Sequence, residues 1–127
     1  LDVDHFKHFN DTQGHLAGDK LLADLAAILR ANLRATDIPG RFGGEEFGMI
    51  LLDTGRRQAV RAAEKIRKAV ARTDFQGQEQ QPNGNLTVSI GVAELTDDLP
   101  DPDTLIERAD QALYRAKHQG RNRVEAA

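Results

Sequence analysis

A glycine-centred hairpin is the clearest structural signal in this sequence. Two largely apolar segments, DIPGRF and EEFGMILL, are separated by a pair of glycines. Apolar segments joined by a short glycine turn are typical of a β-hairpin, so the fold is expected to contain an antiparallel pair of strands. Two adjacent carboxylates, Glu45 and Glu46, lie at this turn, where their repulsion offers no structural gain. The turn is therefore either acidic by chance or built to hold a ligand.

The spacing of apolar residues predicts the elements around the hairpin. In chain order they are a strand end in LDVDHF, a helix from Lys20 to Leu33, the hairpin, a helix from Gly55 to Thr73, a strand in LTVSIGVAEL, a helix that ends at Gly120, and a short strand in RNRVEA. The polar segment NDTQGHLAGD is rich in turn-forming residues and is predicted to be a turn. Asp19 is a plausible N-cap for the helix that follows it.

This order predicts an α+β fold of the ferredoxin-like kind, with a mainly antiparallel sheet flanked by helices. A length of 127 residues fits one domain. The opening LDVD resembles the middle of a strand, so we expect residues 1–127 to be a single domain that lacks its N-terminal elements.

Composition excludes several classes of function. The chain has no cysteine, which excludes disulfide and thiolate chemistry and fits a reducing compartment. A net charge of −3 argues against a general nucleic-acid or membrane-surface footprint. No apolar run approaches the about 18–20 residues that a membrane span needs.

Several polar groups have both a functional and a structural interpretation. Asp2 and Asp4 suit a hard divalent cation at a strand end, or form a solvent-facing acid pair. Asn10 and Asp19 suit the donor edge of guanine, or serve as turn and cap residues. Lys117 and Arg121 form either a phosphate clamp or cationic partners of a helix dipole.

Arg34 and Asp37 have the spacing of a surface ion pair. His5 and His8 have the spacing of two zinc ligands, but the preferred interpretation is that they are exposed or packed histidines without a metal.

Taken together, four segments closely resemble the GGDEF family, the diguanylate cyclase domains of bacteria. They are LDVDHFKHFNDTQGHLAGDKLL, RATDIPGRFGGEEFGMILL, LTVSIGVAEL and ADQALYRAKHQGRNRV, and the resemblance covers essentially all 127 residues. It implies the palm-like fold of nucleotidyl cyclases, which agrees with the order of elements above. It also implies the conversion of two GTP molecules into cyclic di-GMP and two pyrophosphates.

The resemblance also implies a role for individual residues. Glu45 helps to deprotonate the attacking 3′-hydroxyl. The metal-site residues are Asp2, Val3, Glu45 and Glu46, with Mg²⁺ or Mn²⁺ as the ion and two ions per half-site. The substrate-binding residues are Phe6, Lys7, Asn10, His15, Asp19, Gly43, Gly44, Lys117 and Arg121, of which Asn10 and Asp19 read guanine. The inhibitory product-binding residues are Arg34 and Asp37, with Arg41 close enough to contribute.

Because one such domain holds one GTP, the resemblance implies a homodimer with the hairpins facing each other. It implies a bacterial cytoplasmic domain of the kind found in larger sensor proteins. Neither nucleic-acid binding nor membrane insertion is expected of this fragment. The family's preceding helix and its "DxLTGLxNR"-type segment are expected to be missing. An alternative function is a non-catalytic cyclic di-GMP receptor, and an ATP-using cyclase is disfavoured by the carboxylate of Asp19.

Overall fold

The computed structural model describes all 127 residues, which form four α-helices and five strands. The strands are β1 (Asp2–Val3), β2 (Ile38–Gly43), β3 (Glu46–Ile50), β4 (Val88–Val92) and β5 (Val124–Ala126). The helices are α1 (Phe6–Gln13), α2 (His15–Asn32), α3 (Arg56–Arg72) and α4 (Pro102–His118), and a short 3₁₀ helix covers Gln78–Gln80. The predicted hairpin, the two later helices and the last two strands are therefore confirmed. No helix is both long and apolar enough to cross a membrane.

The five strands form one sheet in the order β2-β3-β1-β4-β5. β1 lies at its centre and pairs antiparallel with both neighbours, so that Asp2 is opposite Glu46 on one side and Ser89 on the other. β2 and β3 form the antiparallel hairpin, and only β5 runs parallel to its neighbour β4. The prediction of a mainly antiparallel α+β sheet is confirmed, and the shortest strand is the one that joins its two halves.

The prediction of a turn in NDTQGHLAGD is wrong. α1 continues to Gln13 and α2 begins at His15, so only Gly14, with φ 92, interrupts the helical backbone. Asp19 therefore lies inside α2, and the N-cap position belongs to Gly14. The physical reason is tertiary packing, which overrides turn propensity when it buries enough apolar surface. Phe9 on α1 is only 1% exposed.

The core lies on the face of the sheet that α2 and α3 cover. Its most deeply buried side chains are Val3, Phe9, Leu25, Leu29, Ile66, Val70, Leu86, Val88 and Ile90. The alternation in LTVSIGVAEL does not mark a solvent-exposed face, because Thr87 and Ser89 are also buried. Their hydroxyls donate to the carboxylate of Asp4, which satisfies these polar groups inside the fold.

We expect Leu25→Ala to lower the free energy of unfolding by about 2–5 kcal/mol, because it removes a completely buried side chain and leaves a cavity. Urea denaturation followed by circular dichroism measures the change. Leu16→Ala in the same helix is the matched control, since Leu16 is 87% exposed and its truncation should cost less than about 0.5 kcal/mol. Equal losses in the two variants would contradict the packing described here.

Candidate active site

An ion pair between a buried carboxylate and a partly exposed lysine joins the central strand to the end of α4. Asp2 is 4% exposed, and the ammonium of Lys117 lies 2.8 Å from its Oδ2 atom. A buried carboxylate is costly unless a cation or hydrogen-bond donors compensate it. Lys117 supplies that compensation from the last turn of α4, so Lys117 and Asp2 belong to one site.

Asp4 is also buried, and its carboxylate is fully engaged inside the protein. Its Oδ2 atom accepts from Thr87 Oγ1 at 2.7 Å and from the backbone N–H of Asn122 at 3.0 Å. Its Oδ1 atom accepts from Ser89 Oγ at 2.6 Å. The interpretation of Asp2 and Asp4 as a solvent-facing acid pair is therefore wrong, since both are 4% exposed.

The acidic hairpin turn lies beside β1. Glu46 is directly opposite Asp2 in the sheet, and the carbonyl of Glu45 accepts from the N–H of Val3 at 3.4 Å. Both glycines of the turn have positive φ values, 150 for Gly43 and 51 for Gly44, a region that favours glycine. The register between the strands shifts at this point, which turns the tip away from a regular ladder.

Arg41 stabilises this tip. Its guanidinium donates to the carbonyl of Gly44 through Nε at 3.0 Å and through Nη2 at 2.8 Å. Arg41 makes no hydrogen bond to Arg34 or Asp37, the other residues of the predicted product site. In this structure it is part of the hairpin turn.

The oxygen atoms around Asp2 fit a magnesium-type ion that is completed by a ligand. No group of three or more His, Cys, Asp or Glu side chains lies close enough to hold a metal ion by itself. Mg²⁺ commonly takes only one or two carboxylates and fills its remaining positions with phosphate oxygens and water. A buried Asp2 with Glu46 paired opposite it meets that requirement. His8, the candidate zinc ligand, instead hydrogen-bonds the carbonyl of Gln80 through Nε2 at 2.8 Å.

The predicted base-reading residues lie on the two packed helices α1 and α2. Asp19 lines a cavity of about 630 Å³ between α2 and the hairpin, whose lining includes Leu22, Arg41 and Phe47. Asn10 does not line this cavity, but its Oδ1 atom is buried with no hydrogen-bond partner. That atom lies against Gly18, where any Cβ would overlap it. A larger cavity of about 810 Å³ is lined mainly by apolar side chains and excludes Asp19, so its chemistry suits a nucleotide less well.

The predicted phosphate-binding groups lie at two helix ends. The amides of Phe6 and Lys7 lie in the first turn of α1, where N–H groups have no intrahelical acceptor, and the side chain of the N-cap residue His5 does not cap them. At the other end of the site, the side chain of Arg121 is exposed and its guanidinium has no hydrogen-bond partner. His15 is exposed at the start of α2.

Arg34 and Asp37 form a more extensive network than a surface ion pair. Arg34 donates to both carboxylate oxygens of Asp37, at 3.3 Å and 3.0 Å, and its N–H donates to Oδ2 at 2.8 Å. Its Nη2 atom also donates to the Leu52 carbonyl at 3.0 Å and to Thr54 Oγ1 at 2.6 Å. The hydrogen bonds from Arg34 hold the pKa of Asp37 below its ordinary value.

The residues that support these groups are not among the candidate site residues singled out in the sequence. Thr87, Ser89 and Asn122 all donate to Asp4, and Gly18 allows α1 to approach α2. One signal was available, because two hydroxyl residues alternate with buried apolar residues in LTVSIGV. Hydroxyls in a buried strand need an acceptor, and Asp4 is an acidic residue at a neighbouring strand end.

A known protein family matches almost the whole chain. The family described as "Diguanylate cyclase, GGDEF domain" matches residues 1–123. The chain belongs to the GGDEF family. The resemblance inferred from its motifs is therefore confirmed, and Glu45 and Glu46 are the acidic residues of the family's signature.

Known relatives of this GGDEF domain are considerably longer. The response regulator PleD of Caulobacter vibrioides is 44% identical over 124 residues, which are 98% of this chain and 27% of PleD. Diguanylate cyclase A of Treponema denticola is 43% identical over 98% of this chain and 33% of that protein. The chain thus spans about a quarter to a third of the length of these curated relatives.

Solved GGDEF structures share the fold. The active GGEEF domain of a diguanylate cyclase from Vibrio cholerae superposes with a TM-score of 0.90 at 38% identity, covering 98% of this chain and 78% of that one. The GGDEF domain of DgcB from Caulobacter crescentus, solved in complex with c-di-GMP, superposes with a TM-score of 0.87 at 38% identity, covering 98% and 73%. These likenesses confirm the predicted nucleotidyl-cyclase type of fold.

We expect Arg34→Ala to raise the pKa of Asp37 towards its ordinary value of about 3.9, because the guanidinium hydrogen bonds are lost. An NMR titration of the Asp37 carboxyl carbon measures this shift. Because the folded pKa lies below the unfolded one, the pair stabilises the fold above the unfolded pKa. That stability disappears as the pH falls through the folded pKa.

Lys20→Ala is the control for this titration. It breaks the exposed ion pair between Lys20 and Asp24 on α2 and should leave the pKa of Asp37 unchanged. An Asp37 pKa that is the same with and without Arg34 would contradict the assigned cause.

Proposed function

We propose that this GGDEF domain is catalytically competent and condenses two GTP molecules into cyclic di-GMP and two pyrophosphates. The observation that carries the proposal is the convergence of three elements at Asp2. The GGEEF turn lies on the neighbouring strand, with Glu46 opposite Asp2, and Lys117 reaches the same carboxylate from α4. Carboxylates next to a lysine and a free arginine suit a metal-bound triphosphate.

The metal-holding residues in this proposal are Asp2, the Val3 carbonyl, Glu45 and Glu46. Diguanylate cyclases depend on a divalent metal ion, and here we assign Mg²⁺ or Mn²⁺, with two ions per half-site. When bound, such ions would lower the pKa of the 3′-hydroxyl and would neutralise charge at the phosphorus. Glu45 lies next to this site and accepts the proton of the attacking hydroxyl as its general base.

Asn10 and Asp19 bind guanine in this proposal. The carboxylate of Asp19 accepts from the N1–H and N2–H₂ donors of guanine, whereas adenine has no such pair. The unpaired buried Oδ1 of Asn10 supports this assignment, because a buried acceptor without a partner is uncommon. The amides of Phe6 and Lys7, together with Lys117 and Arg121, bind the triphosphate, and His15 lies beside the substrate.

Two domains act together, each holding one GTP and presenting its hairpin to the other. Gly43 and Gly44 are exposed at the hairpin tip and Phe42 is 71% exposed, so the tip is accessible to a second copy. A single domain aligns only one of the two reactants and should be nearly inactive. We place this dimer in the bacterial cytoplasm.

Product inhibition is assigned to Arg34 and Asp37, with Arg41 as a possible third contact from the hairpin. The guanidinium of Arg34 is held by Asp37, Leu52 and Thr54 while its side chain remains 58% exposed. A cation that is already held in one orientation loses less conformational entropy when it binds a phosphate or a base edge. Because none of these hydrogen bonds involves an active-site residue, the network also favours a second candidate function, a non-catalytic cyclic di-GMP receptor.

In the complete protein, Glu45→Gln should lower the rate of cyclic di-GMP formation by at least about 100-fold, because the amide cannot accept the proton of the 3′-hydroxyl. Chromatographic quantification of cyclic di-GMP from GTP and Mg²⁺ measures the rate. Glu107→Gln, an exposed position on α4, is the matched control and should retain full activity. Turnover by Glu45→Gln at the wild-type rate would remove the catalytic assignment.

Arg34→Ala should raise the cyclic di-GMP concentration that gives half-inhibition by about tenfold or more, with the initial rate unchanged. The reason is the loss of charge-assisted hydrogen bonds to the product. Arg34→Lys should behave similarly, because an ammonium does not reproduce the forked geometry. Arg61→Ala, exposed on α3, is the control. An unchanged inhibition curve in Arg34→Ala would refute this site.

A further inference from the structure

The loop after α4 has an unusual backbone at the residue assigned to phosphate binding. Arg121 has φ 62 and Asn122 has φ 46, so two consecutive non-glycine residues are left-handed. Such conformations are unfavourable for residues with a Cβ and persist only where surrounding contacts hold them. The contacts on both sides of Arg121 therefore decide where its side chain is presented.

The helix holds this loop from one side. The N–H of Gln119 donates to the Arg115 carbonyl at 2.9 Å, and the N–H of Arg121 donates to the Ala116 carbonyl at 3.0 Å. Gly120, between them, has φ 118. This is the six-residue hydrogen-bond closure of a Schellman-type helix end, and it fixes the backbone entering Arg121.

Asp4 holds the loop from the other side. Its Oδ2 atom accepts from the N–H of Asn122 at 3.0 Å, and hydrogen bonds from Thr87 and Ser89 fix the carboxylate itself. On the outer side, Arg67 Nη1 donates to Asn122 Oδ1 at 2.9 Å, and Arg67 is in turn paired with Glu64. Asn122, the residue after Arg121, is thus tied through its backbone to Asp4, just after β1, and through its side chain to α3.

We infer that Asp4 is a positioning residue, which orients Arg121 towards the triphosphate by fixing the backbone of Asn122. The guanidinium of Arg121 has no acceptor within the protein, whereas both Asp4 oxygens are already engaged. Asp4 is therefore separated in role from Asp2, two residues before it, which has Lys117 as its partner. This inference rests on the proposed function, because it assumes that Arg121 binds phosphate.

The test measures binding of two nucleotides by titration calorimetry in the presence of Mg²⁺, using the complete protein. The ligands are α,β-methylene GTP, which keeps the triphosphate but cannot be attacked productively, and GMP, which lacks the outer phosphates. Asp4→Ala should raise the dissociation constant of α,β-methylene GTP by about tenfold or more, which is the effect expected for the loss of one charge-assisted hydrogen bond. The dissociation constant of GMP should stay within about twofold of the wild-type value. A purely structural role would weaken both ligands together.

The conservative variant separates positioning from charge. Asp4→Asn keeps an oxygen that can accept from Asn122, and its amide can donate to the hydroxyl of Ser89. It should bind α,β-methylene GTP within about threefold of the wild type. Asp4→Ala placed in an Arg121→Ala background should cause little further loss, because the two substitutions remove the same contact. The inference is overturned if Asp4→Asn binds α,β-methylene GTP as weakly as Asp4→Ala does. It is also overturned if the losses of affinity caused by Asp4→Ala and Arg121→Ala are additive in the double variant.

A milder substitution keeps the test valid if Asp4→Ala does not fold. Arg67→Met releases the side chain of Asn122 at the surface and leaves the core intact, so it should cause a smaller but still triphosphate-selective loss. Unchanged selectivity in Arg67→Met and in every folded Asp4 variant contradicts the inference. If wild-type protein fails to bind α,β-methylene GTP at all, the proposed function fails first, so the two failures are distinguishable.

Discussion

The ion pair between the buried carboxylate of Asp2 and the partly exposed ammonium of Lys117 holds the candidate site together. It fixes the last turn of α4 against the two-residue strand at the centre of the sheet. Without the ammonium, the buried carboxylate would lack its cationic partner, and the loop that carries Arg121 would lose an anchor. The pairing of Asp2 with Glu46 brings the acidic hairpin to the same point. A short strand thus organises contributions from both ends of the chain.

Much of the fold could be predicted because apolar periodicity directly reports which faces are buried. The helices α3 and α4 and the hairpin follow from local patterns alone. The segment NDTQGHLAGD could not be predicted in this way, because its polar residues suit a turn as well as an exposed helix surface. What decides is the close packing of α1 on α2 at Gly18, and that contact is a property of the tertiary structure.

The candidate site was only partly accessible from the sequence for a similar reason. The hairpin glutamates, Asp2 and the Arg34–Asp37 pair belong to compact motifs that single out their positions. The groups that donate to the Asp4 carboxylate lie 83 to 118 residues away along the chain. The hydroxyls in LTVSIGV indicate that an acceptor is needed, but they do not identify it as Asp4. The nearness of Arg41 to Arg34 and Asp37 in the sequence suggests a role in the product site, and no sequence pattern indicates that its guanidinium donates to the carbonyl of Gly44 in the hairpin turn.

We propose that these elements form a GTP-condensing half-site, and product analysis of the complete protein is the decisive experiment. Incubation with GTP and Mg²⁺, followed by mass spectrometry and a pyrophosphate assay, should yield cyclic di-GMP with two pyrophosphates for each molecule. ATP in place of GTP should yield no cyclic dinucleotide. If a dimeric protein forms no cyclic di-GMP but binds added cyclic di-GMP, the proposed cyclase activity is refuted and the domain is a receptor.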